Sequence, residues 1–294
     1  MDFLINLYNT LDTQLESAPA SYGLFHITCI LVIALLTFLV CKLFKDSSDR
    51  TVNILTAVVW VVILTLEIYK QLIHGFYIED GVFHWDYAWY IFPFQFCSSP
   101  LYIFPIIAFT KSEKLRDACI AYMMTFSLFA GLAVLAYPGD VFIETAGICL
   151  QTMVHHGSQI LMGIFYAIRY RDRFGVKHFF SGVKVFSVMS IIAIILNVAV
   201  YRAFLIYGID ETFNMFFISP YFDCTLPILS TVYKMIPYGA FLCVYLFGFV
   251  LAALIVYSIF KGLLRDVRSA QSLKPHEKVY VSKSDKTLVF ANKK

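Results

Sequence analysis

A cysteine, a histidine pair and a glutamate stand deep inside apolar sequence, and together these residue types can support nucleophilic catalysis. Cys97 lies in the stretch Phe92-Pro-Phe-Gln-Phe-Cys97-Ser-Ser-Pro100, His155 and His156 in a second apolar run, and Glu67 in a third. A thiol is a weak nucleophile and a thiolate a strong one. A neighbouring imidazole can take the proton and later return it to a leaving alkoxide. A carboxylate can orient that imidazole or offset its charge. Cys97 is therefore the candidate nucleophile and His156 its candidate base. Polar groups at lipid depth are costly and tend to be functional. The molecules within reach there are acyl chains and their esters, so acyl transfer or ester hydrolysis on a membrane lipid is the matching chemistry.

Other polar residues share these apolar runs. Glu67, Lys70, Gln71 and His74 fall within about a 100° arc of one helix, forming a stripe on which Glu67 and Lys70 can neutralise each other. Gln151, His155, His156, Ser158 and Gln159 lie in another run, where the two histidines bracket the face centred on Gln159. His26, Gln95 and Asn197 come from three more. Besides Cys97 and His156, the expected site-lining set is His26, Glu67, Gln71, Gln95, His155, Gln159 and Asn197. Gln95 fits least well, because two residues from Cys97 on a regular helix it points some 160° away. Plainer roles compete. A buried cysteine usually fills space, and an intramembrane His or Gln often only bonds one helix to another.

The elements that must position these residues are membrane spans. The chain has 294 residues, of which 60% are apolar and only 15% charged, with a mean hydropathy of +0.73. Such a composition excludes a soluble globular domain or a nucleic-acid-binding protein. Seven windows are long and apolar enough to cross roughly 30 Å of hydrocarbon: Tyr22–Lys45, Val52–His74, Trp89–Thr110, Arg116–Tyr137, Gly147–Arg169, Gly182–Ile206 and Tyr238–Phe260. With no water to satisfy the backbone, each must be helical. The expected fold is thus an all-α membrane protein, a bundle of seven transmembrane helices. Residues 1–21 form a short extracytoplasmic segment, 22–261 the membrane domain, and 262–294 a basic cytoplasmic tail. The first apolar run lacks the basic flank and cut site of a cleaved signal peptide and reads as a retained span.

Of the 23 Lys and Arg residues, all but Lys70, Arg202 and Lys234 fall on one side of this arrangement. The positive-inside rule then places the N-terminus outside and the C-terminus in the cytoplasm. At about 1.5 Å per residue from the outer helix ends, Cys97 and Glu67 lie about 12 Å deep and His156 about 14 Å, with His26 nearer the rim at about 6 Å. Three residues from three helices therefore share one level. The outer connection Tyr207–Pro237 is aromatic, as befits a segment that anchors at the interface or folds back over the bundle as a lid. The basic tail suits an anionic inner-leaflet surface.

The seven cysteines are scattered without a CxxC pair, which argues against a zinc or disulfide framework. A single Cys149–Cys224 bridge stays open. No metal or cofactor is expected.

Three segments together carry a resemblance. Tyr22-Gly-Leu-Phe-His26, Phe92-Pro-Phe-Gln-Phe-Cys97 and His155-His156-Gly157 resemble motifs of the YwaF-type integral membrane proteins of bacteria, as do the Asn197 region and Asn214-Met-Phe. A distantly similar animal transmembrane family comprises lipid acyltransferases that move acyl chains onto ether phospholipids using an intramembrane Cys and His. The resemblance implies a multi-pass protein of the bacterial plasma membrane with membrane lipids as substrates. It further implies Cys97 as nucleophile, His156 as base, and His26 and Gln95 as lining. Gln95 replaces the histidine found at its position in many members, and His155 is an additional histidine.

Two other classes compete with the enzyme. A carrier or channel would use Glu67, Lys70 and the histidines as its pathway. A seven-span ligand receptor would need no chemistry at all. A retinal protein is excluded, because Tyr238–Phe260 lacks a lysine for the Schiff base.

Overall fold

A computed structural model describes residues 2–272 apart from Asp140 and Phe174. It is predominantly helical. Helix α1 (Asp2–Leu11) is followed by α2 (Leu24–Phe44) and α3 (Asp49–Gly75). The side chain of Ser48 caps α3 by accepting from the Thr51 N–H. A hairpin, β1 (Phe76–Glu79) and β2 (Val82–Trp85), turns on Asp80 and Gly81, both at positive φ (50° and 72°). An Asp-Gly pair is the usual choice for such a two-residue turn. Next come α4 (Pro100–Phe109), α5 (Glu113–Tyr122), a π-helical turn at Met123–Ser127, and α6 (Leu128–Ala136). The chain ends with α7 (Ala146–Arg169), α8 (Val176–Tyr207), α9 (Leu229–Met235) and α10 (Tyr238–Ser272). Gly208, left-handed at φ 67°, stops α8.

Among the described residues five helices are long and apolar enough to cross a membrane: α2, α3, the run from α5 through the π turn to α6, α8, and α10 as far as Gly262. Helix α7 matches them in length, with 24 residues. It is less apolar because it carries Gln151, His155, His156 and Gln159, and most of its residues are buried. It packs against α2, α3, α6 and the π turn, and so forms the axis of the bundle. Close approach of α6 depends on Gly131, where a Cβ would stand 2.8 Å from the His156 carbonyl oxygen. The apolar outer faces of α2, α3 and α8 are exposed, as suits helices bathed in lipid.

One expected span is not a single helix. Within Trp89–Thr110, regular α-helix begins only at Pro100. Residues 89–91 and 96–98 form short 3-10 turns, and Phe92 and Gln95 are non-helical. Pro93 drives the residue before it out of the helical region and has no N–H to give. The apolar helical piece, Phe96–Phe109, is short.

Where the basic residues gather, Asp49 at the start of α3 draws three partners together. Arg116 and Arg169 lie 3.6 and 3.5 Å from its carboxylate, and the Tyr170 hydroxyl donates to it at 3.2 Å. Burial pushes the Tyr170 phenol up to about 12, so it remains a donor at neutral pH. This cluster joins α3, α5 and α7 at one end of the bundle. The expected basic tail lies largely outside the described residues.

Candidate functional site

The break in the third apolar run creates the site. In its 3-10 turn the Cys97 carbonyl would be served by the N–H three residues on, but Pro100 has none to offer. Two side chains from α7 take that place. His155 Nε2 lies 2.9 Å from the Cys97 oxygen, and Gln159 Nε2 donates to the same atom. Backbone that is not helical at lipid depth persists only where protein satisfies it. Here α7 does so. Cys97 itself is half-buried, in the 3-10 turn that leads into α4.

The hydrogen bonds fix the neutral tautomer of each imidazole. A carbonyl can only accept, so His155 Nε2 carries the proton in its bond to Cys97. His156 Nδ1 likewise donates to the Thr152 carbonyl at 2.8 Å. The opposite nitrogens, His155 Nδ1 and His156 Nε2, are left as bare acceptors. Both are buried without a hydrogen-bond partner, as are Gln159 Oε1 and Ser127 Oγ. Ser127 belongs to the π turn, a distortion that often accompanies functional sites. Among the described residues no hydrogen bond runs from Cys97 Sγ to either imidazole. Cys97 meets α7 through its main chain, and the histidine it meets is His155 rather than His156, the expected base.

A second polar group stands beside the first. Glu67, 4% exposed, holds Lys70 at 2.7 Å and accepts from Gln71 at 2.7 Å and Gln151 at 3.4 Å. Gln71 also donates to the Ile91 carbonyl at 3.1 Å and accepts from Tyr87. Glu67, Lys70 and Gln71 of the expected stripe on α3 are therefore joined, and Gln151 connects them to α7 one turn before His155.

Three expected lining residues do other work. Gln95 donates to the Asn214 carbonyl at 3.0 Å and accepts from the Phe216 N–H at 2.9 Å. Asn197 makes the same two-ended clamp on Met215, at 3.0 and 2.7 Å. Asn214 binds the Asp223 carbonyl and the Ser219 N–H in turn. The aromatic connection thus folds back into the bundle. Phe213, Met215, Phe216 and Ile218 are fully buried, with Phe216 against Phe94 and Phe96. Interfacial anchoring is not its role in this part. His26 accepts from the Tyr22 N–H at 3.0 Å and packs on Phe142, at the start of α2 and with no bond to the Cys97 group.

Some participants gave no sequence signal. Tyr122 donates to Ser99 at 2.8 Å beside Cys97, and Tyr87 holds Gln71, yet both are ordinary members of aromatic-rich stretches. All seven cysteines are free, so Cys149 and Cys224 are not bridged; the Cys149 thiol instead meets the Ile143 carbonyl. Among the described residues no three His, Cys, Asp or Glu side chains gather as metal ligands.

No curated protein and no solved structure matches the chain. The profile of one transmembrane family does, over residues 21–261. That range contains all three motif segments and both polar groups. It is not a match to the YwaF-type proteins, whose likeness rests on the short motifs alone. By the extent of this match, the chain belongs to the TMEM164 family.

Proposed function

We propose that this protein is a multi-pass membrane enzyme that transfers or hydrolyses a fatty acyl group of a membrane lipid through Cys97, with an α7 imidazole as base. One observation carries the reading. Two buried imidazoles, each with an unprotonated nitrogen free of partners, stand side by side on α7, and one of them bonds the main chain of a half-buried cysteine in an interrupted apolar run. Structural histidines usually satisfy both nitrogens, so bare ones suit proton transfer. The relation to animal acyltransferase-like proteins fits the family match.

In this mechanism His156 Nε2 accepts the Cys97 proton as sulfur attacks the ester carbonyl carbon. The C–O bond then breaks, the alkoxide leaves with that proton, and the acyl group stays on sulfur as a thioester. An acceptor hydroxyl, or water, next gives its proton to His156 and attacks the thioester, restoring the thiol. His155 and Gln159 fix the backbone beneath the sulfur. Glu67 and Lys70 form a neutral pair alongside.

The same reading takes the protein as seven-pass, with the broken Trp89–Thr110 run and α7 completing the five long apolar helices. Its acidic end faces outside and its basic tail meets anionic inner-leaflet lipid. A bacterial plasma membrane as its location comes only from the YwaF-type likeness.

A carrier is the second reading, favoured by the polar chain from Lys70 through Glu67 to Gln151. One experiment separates them. In proteoliposomes with acyl-labelled phospholipid, Cys97→Ser is expected to cut turnover at least a hundredfold and His156→Ala comparably. If turnover survives Cys97→Ser, while solute flux exists and is lost in Glu67→Gln, the enzyme reading fails and the carrier stands.

A further inference from the structure

Between α3 and α4 the lipid-facing surface opens into a cleft of about 320 Å³. Its walls are apolar, formed by Leu64, Ile68 and Leu72 on α3 and by Leu101 and Tyr102 on α4. Ile68, Leu72 and Tyr102 are 53, 49 and 37% exposed, and they continue the exposed apolar faces of their helices. The cleft therefore opens sideways into hydrocarbon rather than upward into water. Its floor is different. Glu67, almost wholly buried, lines it together with Gln71.

From Leu64 to Leu72 the cleft follows α3 for about 12 Å. Its α4 wall begins four residues after Cys97, and Glu67 on its floor accepts from Gln71, which also bonds the Ile91 carbonyl of the same interrupted run. Through Gln151 the same carboxylate reaches α7 one turn before His155. The break in the third run makes this possible. A full helix there would pack against α3 along its whole length, whereas a helix starting at Pro100, with Pro93 at the mouth, leaves the gap unfilled. An empty apolar gap facing lipid costs dispersion contacts that a hydrocarbon chain would restore.

We infer that this cleft seats one acyl chain of a membrane lipid and leads it laterally from the bilayer to the level of Cys97. The inference rests on the acyl-transfer reading only for where the chain leads; that the cleft is occupied is a separate claim. The apolar side chains along its walls suit a hydrocarbon chain. The polar floor is a place for the ester end to stop.

The test uses the full-length protein in nanodiscs containing a phosphatidylcholine with a diazirine on one acyl chain. Cys97→Ala is used for labelling, so that turnover does not consume the probe. After illumination, peptide mapping is expected to find Leu72, Leu101 and Tyr102 labelled at least fivefold above Ile191 and Ile195, which lie on the exposed face of α8. Leu72→Trp, a change at a half-exposed position that the fold tolerates, is expected to lower labelling of Leu101 and Tyr102 at least fivefold. Equal labelling of cleft and α8, or no effect of Leu72→Trp, overturns the inference. Failure of the enzyme reading looks different, with selective cleft labelling while turnover in the intact protein ignores Cys97→Ser.

Discussion

At the residue scale, spacing revealed which polar groups belong together only where the backbone is periodic. Glu67, Lys70 and Gln71 share a face of α3, as 100° per residue requires, and the hydrogen bonds follow. His155 and Gln159, four apart on α7, close on one carbonyl for the same reason. Gln95 could not be read this way. Its segment is not a helix, so the angle separating it from Cys97 carries no meaning, and its amide binds the Asn214–Phe216 backbone instead. Asn197 was legible as a polar residue at lipid depth but not as a clamp, since its partner lies in irregular chain. Removing either clamp leaves buried backbone groups unsatisfied, at about 1–3 kcal/mol each. Asn197→Ala is therefore expected to lower the thermal midpoint in detergent. It should also speed protease cutting within 213–223, while Asn197→Asp restores at most the bond from the Met215 N–H. Unchanged cutting would mean that packing of Phe213 and Phe216 holds the segment by itself.

Among the elements, α7 is the one on which the others depend. Its buried face was visible as a run of Gln and His in apolar sequence, and its helical ends fell close to those expected. What the sequence concealed is how near α6 comes. Gly131 permits it, and a side chain there would meet the His156 carbonyl and the Gln159 Cβ at 2.8 and 3.0 Å. Gly131→Val should push α6 away and tilt the face bearing both histidines. Overpacking of this kind costs about 1–3 kcal/mol. The expected result is a lower unfolding midpoint together with loss of acyl turnover. Gly248→Val, at a helical glycine with open space around it, should do neither. If both variants behave alike, close approach of α6 to α7 is not what holds the histidines. By mean hydropathy the third apolar run passes as a whole helix, although Gln95, Ser98 and Ser99 lie within it. Hydropathy does not register that Pro93 and Pro100 withdraw two N–H groups from it.

For the whole molecule, the proposed orientation rests on the asymmetry of charge. The acidic connections lie at one end, and the Asp49, Arg116, Arg169 and Tyr170 cluster ties three helices at the other. Cysteines introduced at Asp12 and Lys111 test the orientation in a Cys243→Ser background, which removes the one exposed native thiol. An impermeant maleimide applied to right-side-out vesicles should label the first and spare the second until the membrane is opened. The reverse pattern would invert the molecule and place access to Cys97 on the basic side. The broken third run bears as well on how the chain is assembled. A piece of about ten helical residues, preceded by loose backbone with a free carbonyl, cannot settle in lipid when it leaves the ribosome. Its missing donors lie 58 and 62 residues further along, on α7. Integration of the third segment must therefore wait for the fifth, and whatever shelters it meanwhile holds an unfinished membrane protein. Losing both His155 and Gln159 would then be felt first as a failure of biogenesis, in less protein reaching the membrane, before any question of catalysis arises.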